Sequence, residues 1–100
     1  MGKVVPFEDP ADYPRALRRI KRLWQEGLFK ITIHAFERMS KRGFDTTDIQ
    51  NVIKLGKIVD HKRPSDYWRY VLKGNAVDGK ELRVVVEIND HLMIVTIYGK

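Results

Sequence analysis

"ELRVVVEINDHLMIVTIY", residues 81–98, is two apolar runs on either side of a polar break. The break at Asn89, Asp90 and His91 is a tight turn, so the stretch reads as a β-hairpin. With Asp90 and His91 as the two turn residues, Asn89 faces Leu92. Ile88 then pairs with Met93, Val86 with Val95 and Val84 with Ile97, which puts six apolar side chains on one face. The opposite face receives Glu87 beside Ile94, Val85 beside Thr96 and Arg83 beside Tyr98. A slip of one residue would mix the faces, and a sheet with one buried side resists that. The expected sheet packs its apolar side against helices and presents Arg83, Thr96 and Tyr98 on the other.

Further back, "YWRYVLK" (67–73) and "KIVDHK" (57–62) read as strands, and "GNAVDG" (74–79) is turn chemistry. Alternation puts Trp68, Tyr70 and Leu72 on one face and Arg69 and Val71 on the other, so Arg69 joins Arg83. Before Gly56 the period is helical. "DYPRALRRIKRLWQEG" (12–27) has Asp12 as a candidate N-cap, Pro14 in the first turn, an inward stripe of Ala16, Ile20, Leu23 and Trp24, and Gly27 past its end. "TTDIQNVIKLG" (46–56) has Thr46 or Thr47 as cap, Ile49, Val52, Ile53 and Leu55 inward, and Gly56 as its stop. Between them lie a strand candidate, "LFKITI" (28–33), and a short helix, "HAFERMSKRG" (34–43). Helices first and an antiparallel meander afterwards describe one two-layer α+β domain, with helices on one face of a mostly antiparallel sheet. Within it residues 1–12 read as a loosely held arm, 13–27 as an additional helix and 28–98 as the core.

The chain of 100 residues is long enough to bury roughly 60 to 65% of its unfolded surface without cross-links. It has no cysteine, and its three histidines are well separated, which argues against a structural zinc site. No apolar run approaches the roughly 18 residues that span a bilayer, and no signal peptide is visible, so a cytoplasmic protein is expected. The formal charge of +6 comes from basic residues gathered in "RALRRIKR", "HAFERMSKR" and "HKRPSDYWR". Clusters of that kind suit a polyanion, nucleic acid above all.

The middle cluster also carries chemistry. His34, Arg38 and Arg42 are spaced i, i+4, i+8, so an imidazole and two guanidiniums project along one helical stripe. Phe36 and Met39, with Phe44 just beyond the helix, would supply the apolar contacts on another face. Cleaving a phosphodiester calls for a proton acceptor near the nucleophile and fixed positive charge near the phosphate oxygens. Histidine has the pKa for the first and arginine the planar fork for the second.

The run "ITIHAFERMSKRGF" followed by "DIQNVIKLGKIV", "VVVEI" and "IVTIYGK" resembles the family known as domain of unknown function 4258. Its pattern is a strand, then His-x-x-x-Arg-Met-x-x-Arg-Gly, a helix ending in glycine, and a closing Val-Thr-x-Tyr strand. The resemblance runs over roughly residues 28–98. That family is similar to RelE- and MqsR-type toxins, small metal-independent ribonucleases of barnase-like α+β architecture, often encoded beside an antitoxin. The resemblance therefore implies an endoribonuclease acting on mRNA, in solution or on the ribosome, with no cofactor, no metal and an antitoxin protein as partner. His34, Arg38 and Arg42 match the family helix, and Thr96 and Tyr98 its closing strand.

On this reading His34, Arg38, Arg83 and Tyr98 are the candidate catalytic residues, and Arg42, His61, Arg69 and Thr96 the candidate RNA-binding ones. His61 or Tyr98 would be a second proton-transfer group, and Trp68 or Tyr67 a surface on which a base stacks. The alternative is a module of the same fold that binds RNA or protein without cleaving anything.

Overall fold

The computed structural model describes residues 9–99. Helices α1 (Tyr13–Gln25), α2 (Ile33–Arg42) and α3 (Thr46–Leu55) accompany strands β1 (Phe29–Ile31), β2 (Lys57–Lys62), β3 (Arg69–Asn75), β4 (Glu81–Ile88) and β5 (Leu92–Gly99). The five strands form one sheet in the order β1-β5-β4-β3-β2. All neighbours are antiparallel except β1, which lies parallel to β5. This is the α+β arrangement that the pattern of periods predicts. Of the expected N-terminal arm, residues 1–8 lie outside the described residues, and Asp12 N–H donates to Asp9 O in a turn that leads into α1.

Each helix is started by its own sequence. Asp12 Oδ1 accepts from Arg15 N–H at the head of α1, as its N-cap role predicts. The cap of α3 is Asp45, one residue ahead of the expected Thr46 or Thr47. Its carboxylate accepts from Thr47 and Asp48 N–H, while Asp48 returns a carboxylate oxygen to Asp45 N–H. The second oxygen of the buried Asp48 accepts from Val77 N–H at 2.9 Å, tying α3 to the β3–β4 turn.

One core forms between the helices and the inner sheet face. Ile20 and Trp24 from α1, Ala35 and Met39 from α2, and Ile49, Val52 and Ile53 from α3 meet Leu72, Leu82, Val84, Val86, Leu92, Ile94 and Ile97. Trp24 stacks on Phe29 with ring centroids 4.0 Å apart, which ties α1 to β1. Fully burying each large aliphatic side chain contributes about 1.5–3 kcal/mol. Two inward assignments on the helices do not hold. Leu55 is 79% exposed and Phe36 61% exposed, because α2 approaches the sheet through the small Ala35 together with Met39.

The hairpin register differs from the expected one in half its length. Ile88 pairs with Leu92 rather than Met93, so the loop has three residues, with Asn89 N–H bonded to His91 O and His91 N–H to Asn89 Oδ1. The shift persists through Glu87–Met93 and Val86–Ile94. A β-bulge at Val95 then inserts one residue into β5 and restores the expected pairs Val85–Thr96, Val84–Ile97 and Arg83–Tyr98. Leu92 and Ile94 therefore take the inward places assigned to Met93 and Val95, which are only partly buried. No helix among the described residues is long and apolar enough to cross a membrane.

Candidate nucleic-acid interface

The bulge decides where α2 sits. β1 covers the edge of β5 only from Leu92 to Ile94, and beyond that the edge carbonyls need other donors. Thr32 meets the first of them: its Oγ1 donates to Val95 O at 2.9 Å and accepts from Ala35 N–H at 3.1 Å as the N-cap of α2. One hydroxyl thus ends the strand-like run, starts the helix and fixes that start to the bulge. Arg38 meets the second, its Nε donating to Ile97 O at 3.2 Å. Arg42 Nη1 lies 3.9 Å from where a Cβ on Gly99 would sit. The stripe carrying His34, Arg38 and Arg42 therefore runs alongside the free edge of β5. Gly43 closes the helix in the left-handed conformation (φ 74°), and Phe44 N–H reaches back to Met39 O.

Beyond that edge lies the outer face of the sheet, ordered in cross-strand rows. Arg69, Glu87 and Met93 form one, Val71, Val85 and Thr96 the next, and Lys73, Arg83 and Tyr98 the third. Side chains directly opposite one another stand about 4.5–5.5 Å apart at Cβ. The third row leads from Lys73 through Arg83 to Tyr98 and ends where Arg38 binds the edge. Lys73 escaped the sequence reading, although it has the same strand parity as Arg69. Lys57 and Lys62 of β2 pair with Lys73 and Arg69 on this face, with Asp60 opposite Val71 between them.

Carboxylates temper this charge. Arg69 Nε bonds Glu87 Oε2 at 2.9 Å, and Glu81 lies 3.5 Å from Arg83 Nε and 3.9 Å from Lys73 Nζ. Glu81 Oε2 is buried without a well-formed hydrogen bond, so its contact with Arg83 is an ion pair and not a seated hydrogen bond. Partly exposed pairs of this kind contribute about 0–1 kcal/mol, which a phosphate can displace. Each guanidinium also has five N–H donors and spends only its Nε here.

Seven of the eight candidate residues therefore fall on one continuous surface, the α2 stripe and the outer sheet face. His34 is exposed in the first turn of α2, and Thr96 and Tyr98 are partly buried on β5. His61 is elsewhere. It pairs with Tyr70, a core residue, and so lies on the inner face, where its Nδ1 is 2.7 Å from Tyr13 Oη. Trp68 packs beside it against the core, with ring centroids 5.4 Å apart, and Tyr67 is exposed in the loop before β3. Both aromatics are remote from the α2 stripe. Among the described residues no three His, Asp or Glu side chains gather as metal ligands would.

Neither a curated protein nor a solved structure matches the chain. Residues 31–99, from the last residue of β1 to the end of β5, match the family model described as Domain of unknown function (DUF4258), and the chain belongs to that family.

Proposed function

We propose that the protein is a metal-independent endoribonuclease of the RelE/MqsR toxin kind, acting on mRNA and held in check by an antitoxin. The observation that carries this reading is the alignment of His34, Arg38 and Arg42 along the β5 edge, beside Thr96 and Tyr98 and the Lys73–Arg83 row. The RNA lies across the outer face with one phosphate at the α2 edge. The 2′-hydroxyl attacks that phosphorus as His34 takes its proton. The P–O5′ bond breaks, and the 5′-oxygen takes a proton from Tyr98 or water. Arg38 and Arg83 hold the charge that grows on the phosphorane oxygens. Arg42, Arg69 and Thr96 hold the flanking backbone.

A second reading is a binding module without cleavage, and one observation favours it. With His61 committed to Tyr13 on the inner face, His34 is the only imidazole on this surface apart from the turn residue His91. No second imidazole then stands opposite it, and protonation of the leaving group falls to Tyr98, to Lys73 in the same row, or to water.

Incubation of the pure protein with RNA in a chelator separates the two readings. The nuclease yields fragments ending in 2′,3′-cyclic phosphate and leaves DNA of the same sequence intact, because DNA lacks the attacking hydroxyl. Intact RNA, both free and on translating ribosomes, with binding retained, establishes the module instead.

A further inference from the structure

A cavity of about 700 Å³ opens on the other side of the molecule, between α1 and the loop that joins β2 to β3. One wall is the basic row of α1, Arg15, Arg18, Arg19 and Arg22, and the opposite wall is Tyr67 and Trp68. The row follows helical spacing and runs about 10 Å at 1.5 Å per residue. A nucleic-acid strand carries a charge about every 3.4 Å of stacked length, so more than one phosphate can face it. Tyr67 is 46% exposed, and the Trp68 ring has the Arg63 guanidinium 5.9 Å from its centroid. Ala16, Tyr70 and Ile88 make an apolar floor. Asp9, Asp12 and Asp66 also line the cavity, where they are outnumbered by Arg15, Arg18, Arg19, Lys21 and Arg22.

From these features we infer that the α1 groove is a second binding site, for single-stranded RNA. Guanidiniums on one wall take the phosphates, and the exposed Tyr67 ring on the other, backed by Trp68, takes a base by stacking. A cationic track facing aromatic side chains is how sequence-tolerant single-strand sites are built. An acidic polypeptide would use the arginines but has no bases to stack on the aromatics. The site stands apart from the proposed cleavage surface, since Tyr70 and Ile88 belong to the inner sheet face, and α1 lies outside the family match at residues 31–99. The groove therefore forms between a helix outside the matched region and a loop within it, and can hold RNA whether or not the other surface cuts it.

The test is fluorescence anisotropy of the full chain with a labelled oligouridylate, across a salt series. Arg15→Glu/Arg18→Glu is expected to weaken binding at least tenfold at low salt. It should also flatten the slope of log K against log salt by about 1.4, the contribution of two single-strand phosphate contacts. Both arginines are exposed, and glutamates in the first turns of α1 suit the helix dipole, so folding is retained. Tyr67→Ala, with no charge altered, is expected to weaken binding about tenfold through lost stacking. Unchanged affinity and slope in the arginine double variant would overturn the inference. So would polyglutamate competing as well as RNA, or Tyr67→Ala binding like the parent chain. A groove that binds RNA in a protein that cleaves nothing leaves this inference standing and removes only the nuclease.

Discussion

Thr32 shows how much one side chain can decide. Its extended backbone (φ −68°, ψ 158°) continues the strand, and its hydroxyl both caps α2 and satisfies the bulged carbonyl of Val95. Thr32→Val keeps the shape and removes both hydrogen bonds. A lost cap costs about 1 kcal/mol, and an unpaired, partly buried carbonyl about 1 more. The melting temperature should fall by about 8 to 16 °C, at about 4–8 °C per kcal/mol for a domain this size. Thr32→Ser, which keeps the hydroxyl, should stay within a few degrees of the parent chain in the same thermal melt. Equal melts for valine and serine would mean that the hydroxyl does not hold α2 to the edge. Arg38 has a similar double role, because its Nε is committed to Ile97 O while its other donors remain for a phosphate. Nothing in an i, i+4 spacing distinguishes those two uses.

At the scale of elements, the end of α3 and β3 meet through a close backbone approach. A Cβ on Gly56 would lie 2.5 Å from Val52 O and 2.6 Å from Lys73 O, and one on Gly74 would lie 3.2 Å from the Gly56 Cα. Backbone atoms on both sides cannot turn away as a flexible side chain could. Gly56→Ala is therefore expected to destabilise the domain by about 2–3 kcal/mol, read as a lower midpoint in urea with an unchanged slope. Gly79→Ala is a useful contrast: its penalty comes from its left-handed backbone alone (φ 93°), since its Cβ would meet nothing within 4 Å. A Gly56→Ala midpoint equal to that of the parent chain would contradict the tight α3–β3 contact.

The sequence made these elements legible to different degrees. Period changes mark every helix and strand, and the caps and stops mark most boundaries. The bulge was not legible, because "LMIVTI" is apolar at Leu92, Met93, Ile94 and Val95 alike, so alternation cannot say which two face inward. The choice is made by a three-residue turn that Asn89 closes through its own side chain, and by Thr32, 63 residues before Val95. Phe36 and Leu55 were misassigned for a related reason: an apolar stripe shows that a helix has an inward side but not how closely it packs there.

Across the whole molecule, the two basic regions divide between opposite sides of one sheet. The α2 stripe and the outer face carry His34 and the candidate arginines, and the α1 groove carries its own row and the loop aromatics. Strand parity alone put Arg69, Arg83, Thr96 and Tyr98 on one face. The inward position of His61 could not be read that way, because a β-bulge between Ile58 and Asp60 breaks the alternation of β2, and on that face its ring meets Tyr13 of α1, 48 residues away. On the proposed function, the α2 edge performs proton transfer on RNA that is held largely by other groups. The direct measurement is cleavage rate and RNA affinity side by side, in chelator, for the parent chain and His34→Ala. His34 is exposed, so its replacement leaves the core untouched. The expected result is a cleavage rate lower by about 10²- to 10⁴-fold, the usual contribution of a positioned acid or base, with affinity changed less than about threefold. Cleavage as fast with alanine at position 34 would remove the imidazole from the reaction and overturn the proposed mechanism.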